Sequence, residues 1–423
     1  SAPGSSVPTA VNEGSLSASW NQVIPGALLQ PGYSLLVDVD PDGAVAESNE
    51  DNNVWPASGI PWALDVRSLP VLEMTLVPVT TTSGTGNVHA GNAATFLDQT
   101  RRMHPIPEYD DQVGAVLAST ATLGADGSGW DLMLTEVTAR RVADGSSRHY
   151  FGVAHVNYTS GVAGIGWIGY PVATGWDHLP SASGILAHEI GHNWDCRHVL
   201  CLGGEADPDP GYPYAGGGIG VYGYDLWGSA LKSPSTYKDV MSYCNPVWIS
   251  DYMYKQILGY RESSPFGLRG WGMAAGSGVG SRGSGVGSRG SGIGSRGSGI
   301  GNHGGGDWSG AGNAWPGAGG AAPEEPCLLV WGLQRDGRLR LEPSFHITAR
   351  PSAPSGGPYR VEGVDATGRV VWTQSFDLLR TTHPTDPTSA GFCFAAPMAA
   401  SLLEEITALR VMRPKSGTLT KAT

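Results

Sequence analysis

Residues 188 to 192 read His-Glu-Ile-Gly-His and place two imidazoles and a carboxylate where they could share one metal ion. His188 and His192 are four positions apart, so on a helix both rings lie on one face, about a turn apart, and can chelate one ion. Glu189 lies beside the first ring and would reach a water molecule near the ion rather than the ion itself. This pattern alone is a moderate signal, because five-residue patterns with three fixed positions recur by chance.

His198, six residues after His192, strengthens the signal. The chain must leave the helix and turn sharply to bring this third imidazole beneath the ion. Three neutral histidines with an open fourth position describe a catalytic zinc site rather than a structural one. Zinc would lower the pKa of a water molecule towards about 7, and Glu189 would take its proton as general base.

His188, Glu189, His192 and His198 together resemble the extended motif HExxHxxGxxH of the metzincin zinc metallopeptidases. The letters HEIGHNW are most similar to the reprolysin branch and its bacterial relatives. The resemblance implies an α+β fold in which a mixed twisted sheet carries a zinc helix and a Met-turn. It also implies a zinc endopeptidase that acts on proteins or peptides.

A second segment, Asp-Val-Met-Ser-Tyr-Cys at 239 to 244, resembles the metzincin Met-turn. The resemblance implies that Met241 packs under the zinc histidines as an apolar floor without ligating the metal. It also implies that Tyr243 approaches the zinc and the oxyanion, as in the astacin and serralysin versions. The competing interpretation makes both side chains core residues of a loop.

The segment Gly164, Ile165, Gly166 and Trp167 lies where metzincins have an edge strand. Such a strand can bind an extended peptide substrate through main-chain hydrogen bonds. An ordinary interior strand is the alternative.

Asp195 stands where the metzincin pattern has Gly. Glycine suits that position because the helix must end in a residue that tolerates positive φ, and Asp enters the left-handed region at modest cost. We therefore expect the turn to form, with His198 rather than Asp195 as the third ligand.

The cysteines near the motif suggest one disulfide. Cys201 and Cys244 bracket the site, one just past His198 and one just past Met241, and a bond between them would hold the third ligand against the Met-turn. Cys196 is then a free thiol or a competitor for pairing.

Calcium is a second candidate cofactor, at either of two acidic runs. The first run is Glu47, Glu50 and Asp51, and the second is Glu205, Asp207 and Asp209. For both runs, a solvated turn or loop is the alternative. The histidines outside the motif show no chelating spacing and are predicted to be surface or hydrogen-bonded residues: His89, His104, His149, His155, His178, His303, His346 and His383.

The composition of the 423 residues limits the partners. A net charge of −12 leaves no basic block for nucleic acid, and no apolar stretch is long enough to span a bilayer. Abundant Gly and Ser with little Lys favour an exported bacterial protein, secreted or at the cell surface. Oligomeric state is left open by the sequence.

Four regions follow from composition and patterning. Residues 1–66 resemble the last strands of a CARDB-like β-sandwich, and 69–262 resemble a metzincin zinc peptidase domain. Residues 271–322 hold the repeat SGVGSRG and are predicted to be a flexible linker, because one apolar residue in seven cannot bury enough surface. Residues 323–423 are predicted to be a small β-domain of unknown role.

Within these regions the patterns predict individual elements. Helices are predicted at 93–102, 183–194 (with Ser183 as N-cap) and 249–258. Strands are predicted at 27–37, 71–79, 131–142, 149–157, 164–169, 327–331, 359–364 and 370–376.

Two other functions compete with the zinc endopeptidase. A gluzincin would take its third ligand from a downstream glutamate, but the chain lacks the second helix motif that this needs. A catalytically weak metzincin-like adhesin or matrix-binding protein would fit the flanking β-regions, although the intact Glu189 disfavours it.

Overall fold

The computed structural model describes residues 12–18, 22–263, 323–381 and 388–413. The linker predicted at 271–322 lies outside the described residues, as do His303 and His383. The described chain is a mixed α+β structure with several sheets.

The N-terminal region forms two short antiparallel strand pairs, β1 with β4 and β2 with β3. These strands are β1 (Ser34–Leu35), β2 (Val37–Asp38), β3 (Val54–Trp55) and β4 (Trp62–Ala63). The predicted strand at 27–37 is thus shorter than expected and begins only after the Pro-Gly turn. Likeness to the end of a CARDB-like sandwich stays a prediction.

The central region alternates strands and helices. Its strands are β5 (Leu72–Thr81), β6 (Gly84–Thr85), β7 (Tyr109–Val113), β8 (Leu117–Ala118), β9 (His149–Ala154), β10 (Gly164–Gly166), β11 (Val172–Trp176), β12 (Gly223–Asp225), β13 (Ala230–Lys232), β14 (Lys238–Asp239) and β15 (Val247–Trp248). Its helices are α1 (Ala93–Phe96), α2 (Asp98–Met103), α3 (Trp130–Ala143), α4 (Ser181–Asn193) and α5 (Asp251–Ser263).

Seven of these strands make one sheet, in the order β10-β11-β9-β5-β6, with β7 and β8 also pairing with β5. Strands β5, β9 and β11 run parallel, whereas β10 is antiparallel and forms an edge. Helices α3 and α4 both pack on this sheet, and the core between them includes Leu76, Phe151, Leu134, Leu186 and Ile190. The sheet therefore supports the helix that carries the HExxH pattern.

Residues 131–142 form a helix and not the strand that their sequence pattern suggested. Met133, Leu134 and Val137 of α3 face the central core, while Ala139 and Val142 contact strands of the C-terminal region. A helix that is covered on both sides lacks the one-sided apolar stripe by which helices are recognised in sequence. The strand prediction was wrong for this reason.

The C-terminal region is a small β-structure with one short helix. Its elements are β16 (Glu325–Arg335), β17 (Arg338–Leu341), β18 (Phe345–Ala349), β19 (Tyr359–Val364), β20 (Val370–Phe376), β21 (Leu379–Arg380), β22 (Ala390–Pro397), α6 (Ala400–Glu405) and β23 (Ala408–Met412). The strands predicted at 359–364 and 370–376 are confirmed. A five-stranded sheet and the three-stranded sheet β20-β19-β23 enclose a core built on Phe376, Phe392 and Phe394.

The C-terminal region is docked on α3. Cys327, Leu329 and Trp331 of β16 join the helix in one apolar cluster. The Asp131 carboxylate, at the start of α3, accepts hydrogen bonds from Arg335, one of them 2.7 Å from Nε. The central and C-terminal regions thus share buried surface.

Within the described residues, no helix is both long and apolar enough to cross a membrane.

Candidate metal centre

Helix α4 holds the two motif histidines and begins at Ser181, two residues before the predicted start, so Ser183 is not its N-cap. His188 and His192 lie on one face with their Nε2 atoms 3.2 Å apart. The loop after the helix returns His198 to the same point, and the candidate ligand atoms of the three rings all lie within 4.8 Å of one another. The structure therefore brings together the three histidines that the sequence singled out.

The sharp turn between helix and third histidine is made by Asp195, whose φ is 67°. The Asp195 amide donates to His192 O (2.9 Å) and the Cys196 amide to Gly191 O (3.1 Å), which is the Schellman pattern of hydrogen bonds. Asp195 is exposed and is not among the side chains grouped as possible metal ligands. It stands in for the glycine of the pattern, as expected.

Replacing Asp195 with Gly should raise the free energy of unfolding by up to about 1 kcal/mol, because glycine adopts a positive φ without steric cost. Zinc affinity should stay unchanged. Denaturant unfolding and zinc titration of the variant measure both quantities, with Asp195→Ala as a control that keeps the strain. Loss of a residue that supports a metal ligand typically lowers metal affinity by about 10- to 100-fold. A fall of that size in the glycine variant would show that the Asp195 carboxylate supports the metal site.

The orientation of each imidazole is set by a backbone carbonyl. Each ring Nδ1 atom lies at hydrogen-bond distance from a backbone carbonyl oxygen. The distances are 2.8 Å from His188 Nδ1 to Val240 O, 2.7 Å from His192 Nδ1 to Cys196 O and 2.5 Å from His198 Nδ1 to Ala206 O. Because a carbonyl only accepts, each Nδ1 carries the proton and each Nε2 presents a lone pair. Burial lowers the pKa of His188 to about 3 and also lowers that of His198, which keeps both rings neutral.

This arrangement fits a tetrahedral metal ion. Zinc–nitrogen bonds of about 2.0–2.1 Å place two tetrahedral ligands about 3.3 Å apart, close to the 3.2 Å between the Nε2 atoms of His188 and His192. Two lone pairs facing each other at that distance repel, and a cation between them turns the repulsion into attraction. The three imidazoles could therefore hold one metal ion.

Glu189 is buried between α4 and the edge strand β10. A Cβ added at Gly166 would come 3.3 Å from Glu189 Oε2 and 2.9 Å from its backbone oxygen, so glycine is what lets helix and strand approach. Burial raises the pKa of Glu189 well above its usual range. A dication at the neighbouring histidines would favour the ionised carboxylate and offset that burial.

Met241 packs against helix α4 at Gly191, the residue before His192. Its side chain is fully buried, and a Cβ added at Gly191 would lie only 2.4 Å from its sulfur. The Met241 carbonyl accepts from the Val199 amide (2.9 Å), which fixes the chain just after His198. The turn at Met241 thus contacts both helix α4 and the segment that follows His198.

A pair of glycines in α4 gives a matched test of this contact. Gly191→Ala should lower the free energy of unfolding by about 1–3 kcal/mol, because the added methyl collides with Met241. Gly184→Ala should raise it by about 0.5–1 kcal/mol, since a Cβ there meets nothing within 4 Å and alanine favours a helix. Urea unfolding of the two variants measures the difference. Equal shifts would mean that Met241 does not press on Gly191.

Asp239 holds the turn that carries Met241, a role that the sequence did not predict. Its buried carboxylate accepts the amides of Met241 (2.8 Å) and Ser250 (2.9 Å), and burial raises its pKa. Its position two residues before the methionine was visible in the sequence, but nothing there showed that it turns inward.

Tyr243 lies at the open side of the site. Its hydroxyl is 3.1 Å from His198 Nε2 and donates to it, since the proton of that ring is on Nδ1. The residue is 42% exposed, and burial of its ring raises the pKa of the phenol, so that it remains a donor at neutral pH.

The predicted disulfide between Cys201 and Cys244 is present, and Cys196 is a buried free thiol. The loop after Cys201 is also closed by Glu205, whose carboxylate accepts the amides of Cys201, Leu202, Gly203 and Gly204 at 2.9–3.0 Å. These hydrogen bonds lower the pKa of Glu205 to about 2, against the opposing effect of burial. Its oxygens are used by the backbone, so the structure gives no support to calcium at Glu205, Asp207 and Asp209.

Of the other acidic run, the side chain of Glu50 lies outside the described residues, and calcium there stays a prediction.

The predicted substrate strand lies at the edge of the sheet, but all of its residues are buried. Gly164, Ile165 and Gly166 form the edge strand β10, but Trp167 is fully buried, donates through Nε1 to Thr138 (2.8 Å) and forms a β-bridge with Thr381. The next amide, that of Ile168, donates to Arg380 O (2.9 Å). Trp167 is thus a contact with the C-terminal region and not a free pairing position for substrate.

No protein-family model matches this chain. No curated protein matches it either.

Two of the histidines predicted to be surface or hydrogen-bonded residues, His155 and His178, lie together with Asp177. A further pair, His104 and His149, is buried against Trp194, the C-cap residue of α4, with ring centroids 5.0 and 6.0 Å from the indole. Burial lowers the pKa of both imidazoles. Sequence spacing could not show either grouping, because neighbouring strands and helices bring the residues together.

Proposed function

We propose that this chain is a zinc-dependent endopeptidase of the metzincin type, exported from the cell, that hydrolyses peptide bonds of protein substrates. The observation that carries the proposal is the convergence of three Nε2 lone pairs, from His188, His192 and His198, at the helix that also carries the buried Glu189. An imidazole set of this kind suits zinc among the common metals. When bound, zinc would polarise a peptide carbonyl and lower the pKa of water.

The chain's own residues divide the remaining work. Glu189 takes the proton of the attacking water on its carboxylate and delivers it to the leaving amine. Tyr243 turns its hydroxyl from His198 towards the carbonyl oxygen, where it donates a hydrogen bond as negative charge develops. Both roles rest on placement: the Glu189 carboxylate is buried beside the edge strand β10, and the Tyr243 hydroxyl lies 3.1 Å from His198 Nε2.

The fold supports the metzincin assignment through two contacts. A methionine from a separate loop lies against the helix at Gly191, and an antiparallel edge strand borders the helix at Glu189. The backbone N–H and C=O groups of Gly164 and Gly166 point away from β11 and would pair with an extended peptide, as in β-augmentation. The disulfide beside the site is consistent with an oxidising, extracellular compartment.

Purified protein should hold zinc at the histidine site and cleave an unfolded protein such as casein, and a chelator should abolish the cleavage. Restoring zinc after the chelator is removed should restore it. Zinc binding without casein cleavage would favour the adhesin or matrix-binding alternative. Cleavage that survives full metal removal would contradict the proposal.

A further inference from the structure

A second cluster of side chains that could hold a metal ion lies at the carboxyl ends of two parallel strands. His155 directly follows β9, and Asp177 and His178 directly follow β11. The candidate ligand atoms of the three side chains all lie within 4.8 Å of one another. The cluster borders an open cleft of about 830 Å³, lined also by Gly84, Thr85, Asn87, Thr159 and Leu179.

The distances within the cluster suit one small cation. His155 Nδ1 is 3.1 Å from Asp177 Oδ2, and His178 Nε2 is 3.7 Å from Asp177 Oδ1. Both values are near the separation of about 3.3 Å that tetrahedral zinc imposes on two ligands. Small side-chain rotations would bring all three donors onto a single ion.

The charge of the cluster also calls for a cation. The Asp177 side chain is only 5% exposed, and the ion-pair contacts that it makes within the described residues are with the two histidines. A buried carboxylate without a permanent positive partner is costly, and a bound dication would supply the missing charge. His155 Nδ1 now faces the Asp177 carboxylate, and His178 Nε2 lies 3.0 Å from Val156 O. Each of these nitrogens would lose its proton on binding a metal ion.

The surroundings hold the donors in place. The Asn87 amide donates to Asp177 Oδ2 (3.0 Å), and the His178 ring stacks on Trp176 with centroids 4.9 Å apart. Supports of this kind orient the ligands of metal sites.

We propose that His155, Asp177 and His178 form a second binding site for a divalent transition cation of the zinc class. Two imidazoles and one carboxylate are typical donors for zinc, whereas calcium prefers six to eight oxygens. The ion joins the end of β9 to the loop that leads from β11 into α4. It therefore fixes the start of the helix that carries His188 and His192, and it does so from outside the candidate active site.

Zinc content measured on the full chain after dialysis against low free zinc tests the proposal. Wild-type protein should hold about two ions, and Asp177→Asn and His155→Gln should each hold about one fewer. His346→Gln is the matched control, because His346 is an exposed histidine of the C-terminal region, and it should keep the wild-type content. Added zinc should raise the melting temperature of the His188→Ala/His192→Ala variant but not after Asp177→Asn is added to it.

The proposal is overturned if Asp177→Asn and His155→Gln retain the wild-type zinc content. It is also overturned if His188→Ala/His192→Ala stays folded by circular dichroism yet binds no zinc. Neither measurement uses peptide hydrolysis, so this site and the proposed peptidase activity succeed or fail separately.

Discussion

Replacing Glu189 with Gln should lower the rate of peptide hydrolysis by about 10² to 10⁴-fold, the usual contribution of a general base. Glutamine has nearly the same shape but cannot take a proton from water. Zinc content should not change, because Glu189 is not among the three grouped ligands. Casein cleavage and metal analysis of the same preparation measure the two effects.

Glu404→Gln, which makes the same change at an exposed site on α6, is the control and should keep full activity. A Glu189→Gln protein that retains more than about a hundredth of the wild-type rate would contradict the general-base role.

Replacing His198 with Ala should weaken zinc binding by more than about 100-fold. Loss of a residue that only supports a ligand already costs about 10- to 100-fold, and here one of three protein donors would be removed. The rate of peptide hydrolysis should fall as well, because only His188 and His192 would remain to hold the zinc. Competition titration with a chromophoric chelator gives the affinity, and His346→Ala serves as a surface-histidine control.

If His198→Ala binds zinc at this site as tightly as the wild type, the third ligand is a different residue. The metzincin assignment would then fail, and the gluzincin alternative would need a glutamate that the described structure does not place among the grouped ligands.

The sequence could predict the parts of the site that depend on local chain geometry. The spacing of His188 and His192 requires only a helix, and helix α4 is present within two residues of its predicted start. The positive φ of Asp195 followed from the need to end that helix before His198. Both are decided by residues that are close in the chain.

Other features depend on what packs against a segment, which local patterns do not record. Helix α3 resembled a strand because its second face is covered by strands from a distant part of the chain. His155 lies far from Asp177 in sequence, and only the parallel pairing of β9 with β11 makes them neighbours. The inward turn of Asp239 likewise depends on the amide of Ser250, which a separate segment supplies.

The docking of the C-terminal strands on α3 limits which parts of this chain can be exchanged, by evolution or by engineering. Because Ala139 and Val142 lose their cover without β16, and Asp131 loses Arg335, the C-terminal region is not an exchangeable module. A recombinant that joins residues 1–263 to an unrelated partner would expose an apolar helix face and invite aggregation. Calorimetry of the intact chain should accordingly show these two regions melting in a single cooperative transition, and substitutions at their boundary would have to arise in compensating pairs.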